Sequence, residues 1–198
     1  MAEISKVFFW IVNSLLIPDI IILIILFIRS LLLIGSFYNQ FIIRIKNKKN
    51  IDNWLWSIEE PDGIGKIKAG LPQKQNSLYT QYLKKLLERE SNQAYADFVL
   101  ANFEDEADKD LNTSRLMAKL GPVLGLIGTL IAMSPALVGL STGDISGMAY
   151  NMQVVFATTV IGLVVSAVGL VTLQFKKRWY LNETNNLEYI SQVLLKNK

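Results

Sequence analysis

Gly121-Pro122-Val123-Leu124-Gly125-Leu126-Ile127-Gly128-Thr129-Leu130 and, further on, Ala157-Thr158-Thr159-Val160-Ile161-Gly162-Leu163-Val164-Val165 are the stretches that decide how this chain folds. They sit inside two longer apolar segments, 116–140 and 152–175, in which the only charged residue is Lys119 near the edge of the first. A helix of about 20 apolar residues crosses a bilayer, so both segments are long enough. In hydrocarbon the backbone amides have no water to bond to, which makes the helix the form that satisfies them. Small residues and hydroxyls on two such crossings, with no ionisable group, suit a subunit that shapes a pore around a charge supplied by another protein.

The rest of the composition agrees with a membrane setting. The 198 residues are 51% hydrophobic, with a mean hydropathy of +0.31. Neither Cys nor His occurs. Thiol redox chemistry, a Cys/His zinc site and imidazole acid-base catalysis are therefore excluded for this chain alone, and no cofactor or metal site is expected. The net charge of +3 and pI near 9.0 come from basic residues beside the apolar spans, where orientation and lipid headgroups account for them. No nucleic-acid recognition motif accompanies them. An enzyme is disfavoured because no nucleophile, base and orienting group occur together.

A third apolar block occupies 7–45, too long for one straight crossing at about 1.5 Å per residue. Pro18-Asp19 is its natural break, since Pro fits the first turn of a helix and Asp favours the positive end. This predicts an interfacial helix over 1–18, carrying Phe8, Phe9 and Trp10, and a first crossing over 19–45. That choice leaves Arg29 within the apolar stretch. Placing the crossing at 8–28 leaves Asp19 within it instead. An intramembrane charge is costly and faces a bundle interior or snorkels to the interface, so both residues are candidate functional charges.

Basic clusters set the orientation. Arg44, Lys46, Lys48 and Lys49 follow the first crossing, Arg115 and Lys119 precede the second, and Lys176, Lys177 and Arg178 follow the third. By the positive-inside rule these face the cytoplasm, giving a plasma-membrane or inner-membrane protein with its N-terminus outside and its C-terminus inside. The connection 141–151, with Asp144 and no basic residue, is then a short external loop. The cytoplasmic region 46–115 opens with a Gly/Pro-punctuated stretch from Glu60 to Pro72, expected to be a loop. From Ser77, a plausible N-cap, Leu78, Tyr82, Leu86, Ala94, Phe98 and Ala101 recur at helical spacing. A long cytoplasmic helix running into the second crossing is expected. The acidic run Glu104, Asp105, Glu106, Asp108 and Asp110 reads as a solvated face, and the tail 176–198 as a continuation of the third helix. The fold class is therefore all-α, a polytopic membrane protein whose second and third of three transmembrane helices extend into a cytoplasmic helical bundle.

At about 100° per residue, Gly121, Gly125, Gly128 and Ala132 share one face of the second crossing. Thr158, Gly162 and Gly169 share one face of the third. Such faces let helix backbones approach closely, and packing explains the glycines. Thr159 and Ser166, seven residues apart on a different face from Thr158 and Gly162, add a polar strip.

These residues resemble the MotA/TolQ/ExbB family of ion-channel subunits. The resemblance rests on the run from Gly121-Pro122 to Leu130, the short outward loop, and Ala157-Thr158-Thr159-Val160-Ile161-Gly162-Leu163, and it covers about 116–175. It implies pore-facing threonines at Thr129 and Thr159, with Thr158 as an alternative. It also implies a homopentamer around a dimer of a single-span partner of the ExbD/TolR/MotB type, whose transmembrane Asp carries a proton or sodium ion. Departures from the common pattern are Met133-Ser134-Pro135 within the second crossing, the lack of a Pro after the third-helix motif, and a length short for a flagellar stator. They point to an energy transducer of the ExbB or TolQ kind. A non-conducting scaffold that anchors a partner through its cytoplasmic helices is the alternative.

Overall fold

The computed structural model describes residues 2–57, 63–71, 77–88 and 92–196. Among the described residues six helices follow one another: α1 Ala2–Ser14, α2 Leu16–Ser57, α3 Gly63–Gly70, α4 Leu78–Glu88, α5 Gln93–Thr142 and α6 Ile145–Lys196. The helical stretches Lys6–Lys46, Gln93–Thr142 and Ile145–Lys196 are each long and apolar enough to cross a membrane. The protein is all-α and polytopic.

The break in the N-terminal block falls at Leu15, three residues before Pro18. There the Leu15 amide donates to the Val12 carbonyl at 3.1 Å, and the Asp19 amide donates to the Leu15 carbonyl at 3.0 Å. Pro18 is accommodated because the first turn of a helix needs no amide donor at that position. Gly63–Gly70, inside the stretch whose Gly/Pro content predicts a loop, is helical, while residues 60–62 and 72 lie outside the described residues. The helix expected from Ser77 onward is divided into α4 and α5. Ser77 does cap α4, its Oγ accepting the Thr80 amide at 3.3 Å. Asn92 then begins α5 by accepting the Ala94 amide at 3.2 Å, as side-chain acceptors do for first-turn donors. Helix α5 continues through both Pro122 and Pro135.

The chain divides into two units. The first, Met1–Ile34 with Thr113–Leu173, comprises α1 and segments of α2, α5 and α6. Its centre holds Leu33, Met117 and Val165, flanked by Leu26, Phe27, Ile161 and Val168. Its outside is apolar: Ile21, Ile24, Ile28, Leu32, Leu126, Leu130, Val160 and Leu163 are all exposed. An apolar exterior of this extent requires lipid or protein neighbours. The turn from α5 to α6 is tight, with Gly143 at a φ of +76° and the Asp144 carboxylate accepting the Gly147 amide at 2.9 Å to cap α6.

The second unit, Gly35–Asn112 with Gln174–Lys198, is built from α3, α4 and the remaining segments of α2, α5 and α6. Tyr79, Leu83, Phe103, Leu187 and Ile190 fill its core, with Tyr82 edge-on to Phe103 at 5.5 Å and Phe103 edge-on to Tyr180 at 6.2 Å. Phe37 stacks on Trp179 at 5.1 Å, and the Arg44 guanidinium lies 4.7 Å from the Trp179 ring.

Candidate functional site

The second and third crossings meet along their glycines. A Cβ placed on Gly121 would lie 2.5 Å from the Gly162 carbonyl oxygen, and one on Gly162 would lie 2.5 Å from the Gly121 carbonyl oxygen. Gly125 faces Thr158 and Gly162, and Gly169 faces Ser114 and Ala118. The two small-residue faces are thus apposed, backbone to backbone. Contact this close brings dispersion and dipolar attraction from main-chain atoms, the currency of helix association where no hydrophobic effect operates.

The four hydroxyls read from the sequence divide into two pairs. Thr158 and Ser166 are buried between α5 and α6, at 4% and 5% exposure. Ser166 crosses to the other helix, its Oγ donating to the Ala118 carbonyl at 3.0 Å. Thr158 donates within its own helix to Val154 and Val155, both at 3.1 Å. Thr129 and Thr159 are half-buried on the surface of the first unit. Each satisfies its proton locally, Thr129 Oγ1 donating to the Leu126 carbonyl at 2.7 Å and Thr159 Oγ1 to the Val155 carbonyl at 3.1 Å. Their oxygens keep free lone pairs for an outside donor. The strip drawn from Thr159 to Ser166 is divided, because Ser166 packs on the Thr158 and Gly162 face.

The two candidate charges also separate. Arg29 is exposed on the outside of the unit. Asp19 is 5% exposed and sits against Gly128, which Thr158 also approaches, and among the described residues neither carboxylate oxygen has a hydrogen-bond partner. Asp19 lies in the first turn of α2, at the positive helix end as expected, although neither of its oxygens accepts an amide there.

Sequence reading missed a polar centre in the second unit. Lys176, only 1% exposed, donates to Asp110 Oδ2 at 2.8 Å, and the Tyr180 hydroxyl donates to the same oxygen at 2.8 Å. Burial and the adjacent carboxylate push the Tyr180 phenol well above its ordinary range, so it remains a neutral donor. Arg44 and Glu183 form a second pair at 2.8 Å. The signal was present as the series Lys176, Tyr180, Glu183, Leu187 and Ile190, a helical stripe that places the charged residues on the buried face. Within the acidic run, Lys109 pairs with Asp105 at 2.7 Å and Glu106 at 3.0 Å.

The model of the MotA/TolQ/ExbB proton channel family matches residues 70–189. The chain belongs to that family. The match reaches well beyond the two motif helices, taking in α4 and most of the α6 extension, so these helices are part of the family pattern as much as the glycine and threonine motifs. The family works in membrane complexes and is a channel family rather than an enzyme family. Among curated proteins, none matches the chain.

Proposed function

We propose that this chain is the proton-conducting subunit of a rotary-type energy-transducing complex, with sodium as the alternative ion, and that Thr129 and Thr159 line its conduit. The observation that carries this reading is the family match over 70–189, which includes both hydroxyl motifs. In the reading, five copies surround a dimer of a single-span partner of the ExbD/TolR/MotB type, whose transmembrane Asp takes up and releases the ion. The machine is of the ExbB or TolQ kind, with the N-terminus outside and the C-terminus in the cytoplasm.

The chemistry follows from the hydroxyls. A carboxylate in an apolar conduit is costly unless it is hydrogen-bonded or protonated. Thr129 and Thr159 satisfy their own protons within their helices, and their oxygens accept a hydrogen bond from a protonated carboxyl or from a water that solvates the ionised form. The partner's acid alternates between two states of similar cost, and the gradient decides which way the cycle turns.

Thr129→Val and Thr159→Val, in full-length protein reconstituted with its single-span partner, test the reading. Losing one hydrogen bond to a charged group, about 1.5–3 kcal/mol, slows proton entry into dye-loaded vesicles about 10- to 100-fold while assembly is retained. Unchanged flux in both variants refutes the pore role. If only enlargement of Gly125 or Gly162 mattered, the scaffold reading would replace it.

A further inference from the structure

The Asp19 carboxyl is the polar group the fold leaves least explained. It is 5% exposed, and among the described residues neither Oδ1 nor Oδ2 has a hydrogen-bond partner. A Cβ built on Gly128 would lie 2.7 Å from Asp19 Oδ2 and 2.8 Å from Thr158 Cβ. The carboxyl, a glycine of α5 and a threonine of α6 therefore converge on one point, and the missing Gly128 side chain is what makes room for the acid. Gly128 is also the midpoint of the apolar segment 116–140, so the carboxyl is level with the middle of that segment.

Among the described residues no side chain neutralises it. Between Lys119 and Lys176, the only charged residue on α5, α6 or their turn is Asp144, which caps α6. On α2 the nearest charge is Arg29, about 15 Å along the helix at 1.5 Å per residue and exposed. On α1, Lys6 and Glu3 pair with each other at 3.2 Å. Thr158 already spends its proton on Val154 and Val155. A carboxylate anion without donors or counter-charge is far more costly in such a place than a carboxylic acid.

We propose that Asp19 is a proton-binding group carried by this chain itself, its carboxyl seated in a dry notch formed by Gly128 and Thr158. The acid holds its proton while the notch is closed, and it releases the proton only when movement of α2 against α5 and α6 admits water or a donor. Each subunit then contributes a titratable carboxyl beside the threonine motifs, in addition to whatever a partner supplies. The inference does not depend on conduction and stands or falls without it.

Dicyclohexylcarbodiimide, an apolar reagent that adds to protonated carboxyls and rearranges to a stable N-acylurea, provides the test. Full-length protein in lipid vesicles is treated across a pH series and mapped by mass spectrometry. Asp19 is labelled at neutral pH, and the labelling falls about tenfold per pH unit once the acid ionises. The exposed Asp105 and Glu106 stay unlabelled at neutral pH. In parallel, an infrared carbonyl band of a protonated carboxyl is present in the wild type and absent from Asp19→Asn, which keeps the side chain's shape. Gly128→Ala, which crowds the notch, lowers the labelling. No labelling of Asp19 together with no infrared band lost in Asp19→Asn overturns the proposal. Protection from labelling by sodium at constant pH also overturns it, in favour of a cation site.

Discussion

Gly162→Ala is the sharpest test of the packing that holds the two motif helices together. The added methyl would sit 2.5 Å from the Gly121 carbonyl oxygen and 2.9 Å from Gly125 Cα. A carbon-oxygen contact relaxes to about 3.3 Å, so α5 and α6 must separate by about 0.8 Å, and backbone cannot swing aside as a flexible side chain does. A gap of about 0.5–1 Å forfeits a quarter to a half of each dispersion contact along the seam, and overpacking of this kind costs about 1–3 kcal/mol. Gly35→Ala is the internal control, because a Cβ there meets nothing within 4 Å. Both substitutions gain the same helix propensity, about 1 kcal/mol over Gly, and that term cancels in the comparison. Gly162→Ala is therefore less stable than Gly35→Ala by about 1–3 kcal/mol. The chain has no Cys, so two introduced cysteines, at the exposed Val123 and Val160, can be labelled uniquely. Energy transfer between them then follows α5–α6 separation during denaturant titration in mild detergent. Equal stability of the two variants would show that the helices do not meet as described.

Removing either end of the Lys176–Asp110 pair has unequal effects. The Asp110 side chain is 35% exposed and rehydrates after Lys176→Met, at about 1 kcal/mol, whereas Asp110→Ala strands a lysine whose side chain is 2% exposed and costs about 3–5 kcal/mol; denaturant titration of both variants measures the asymmetry. Gly143→Ala, at a φ of +76°, lowers stability by about 1–2 kcal/mol, and the same titration checks it against Gly35→Ala.

The helices that span were legible because nothing competes with the signal: a long apolar run in which every backbone group needs an internal partner has one solution. The glycine face was legible for a related reason, since the period that puts Gly121, Gly125 and Gly128 on one side also aims them at the neighbour. What the sequence did not reveal was which neighbour each polar residue meets. Ser166 lies seven residues from Thr159, a spacing that reads as one strip, yet it joins the Thr158 and Gly162 face because it crosses to the Ala118 carbonyl. Lys176 reads as one of three basic residues that mark a membrane edge, but its buried bond to Asp110 depends on a residue 66 positions away, a separation that no local pattern encodes. The α3 helix was missed because glycine lowers helix propensity without forbidding the helix.

The burial of the hydroxyls bears directly on where ion chemistry can happen. Thr158 and Ser166 are enclosed between α5 and α6, and each has its proton engaged, so within one subunit they serve packing and, for Thr158, the wall of the Asp19 notch. Thr129 and Thr159 remain half-buried on the outer surface of the same two helices, where leaving a hydroxyl beside lipid gains nothing that alanine would not also provide. Satisfying each proton within its own helix makes such a residue tolerable in hydrocarbon, but it does not explain a preference for it. A preference arises only if another copy or a partner brings a donor to the free lone pairs. The α2 face, lined by Ile21, Ile24, Ile28 and Leu32, carries no such groups apart from Arg29 and suits the lipid side. The proposed assembly therefore turns α5 and α6 toward its axis and α2 outward, an arrangement in which Thr129→Val alters flux while Ile24→Val does not.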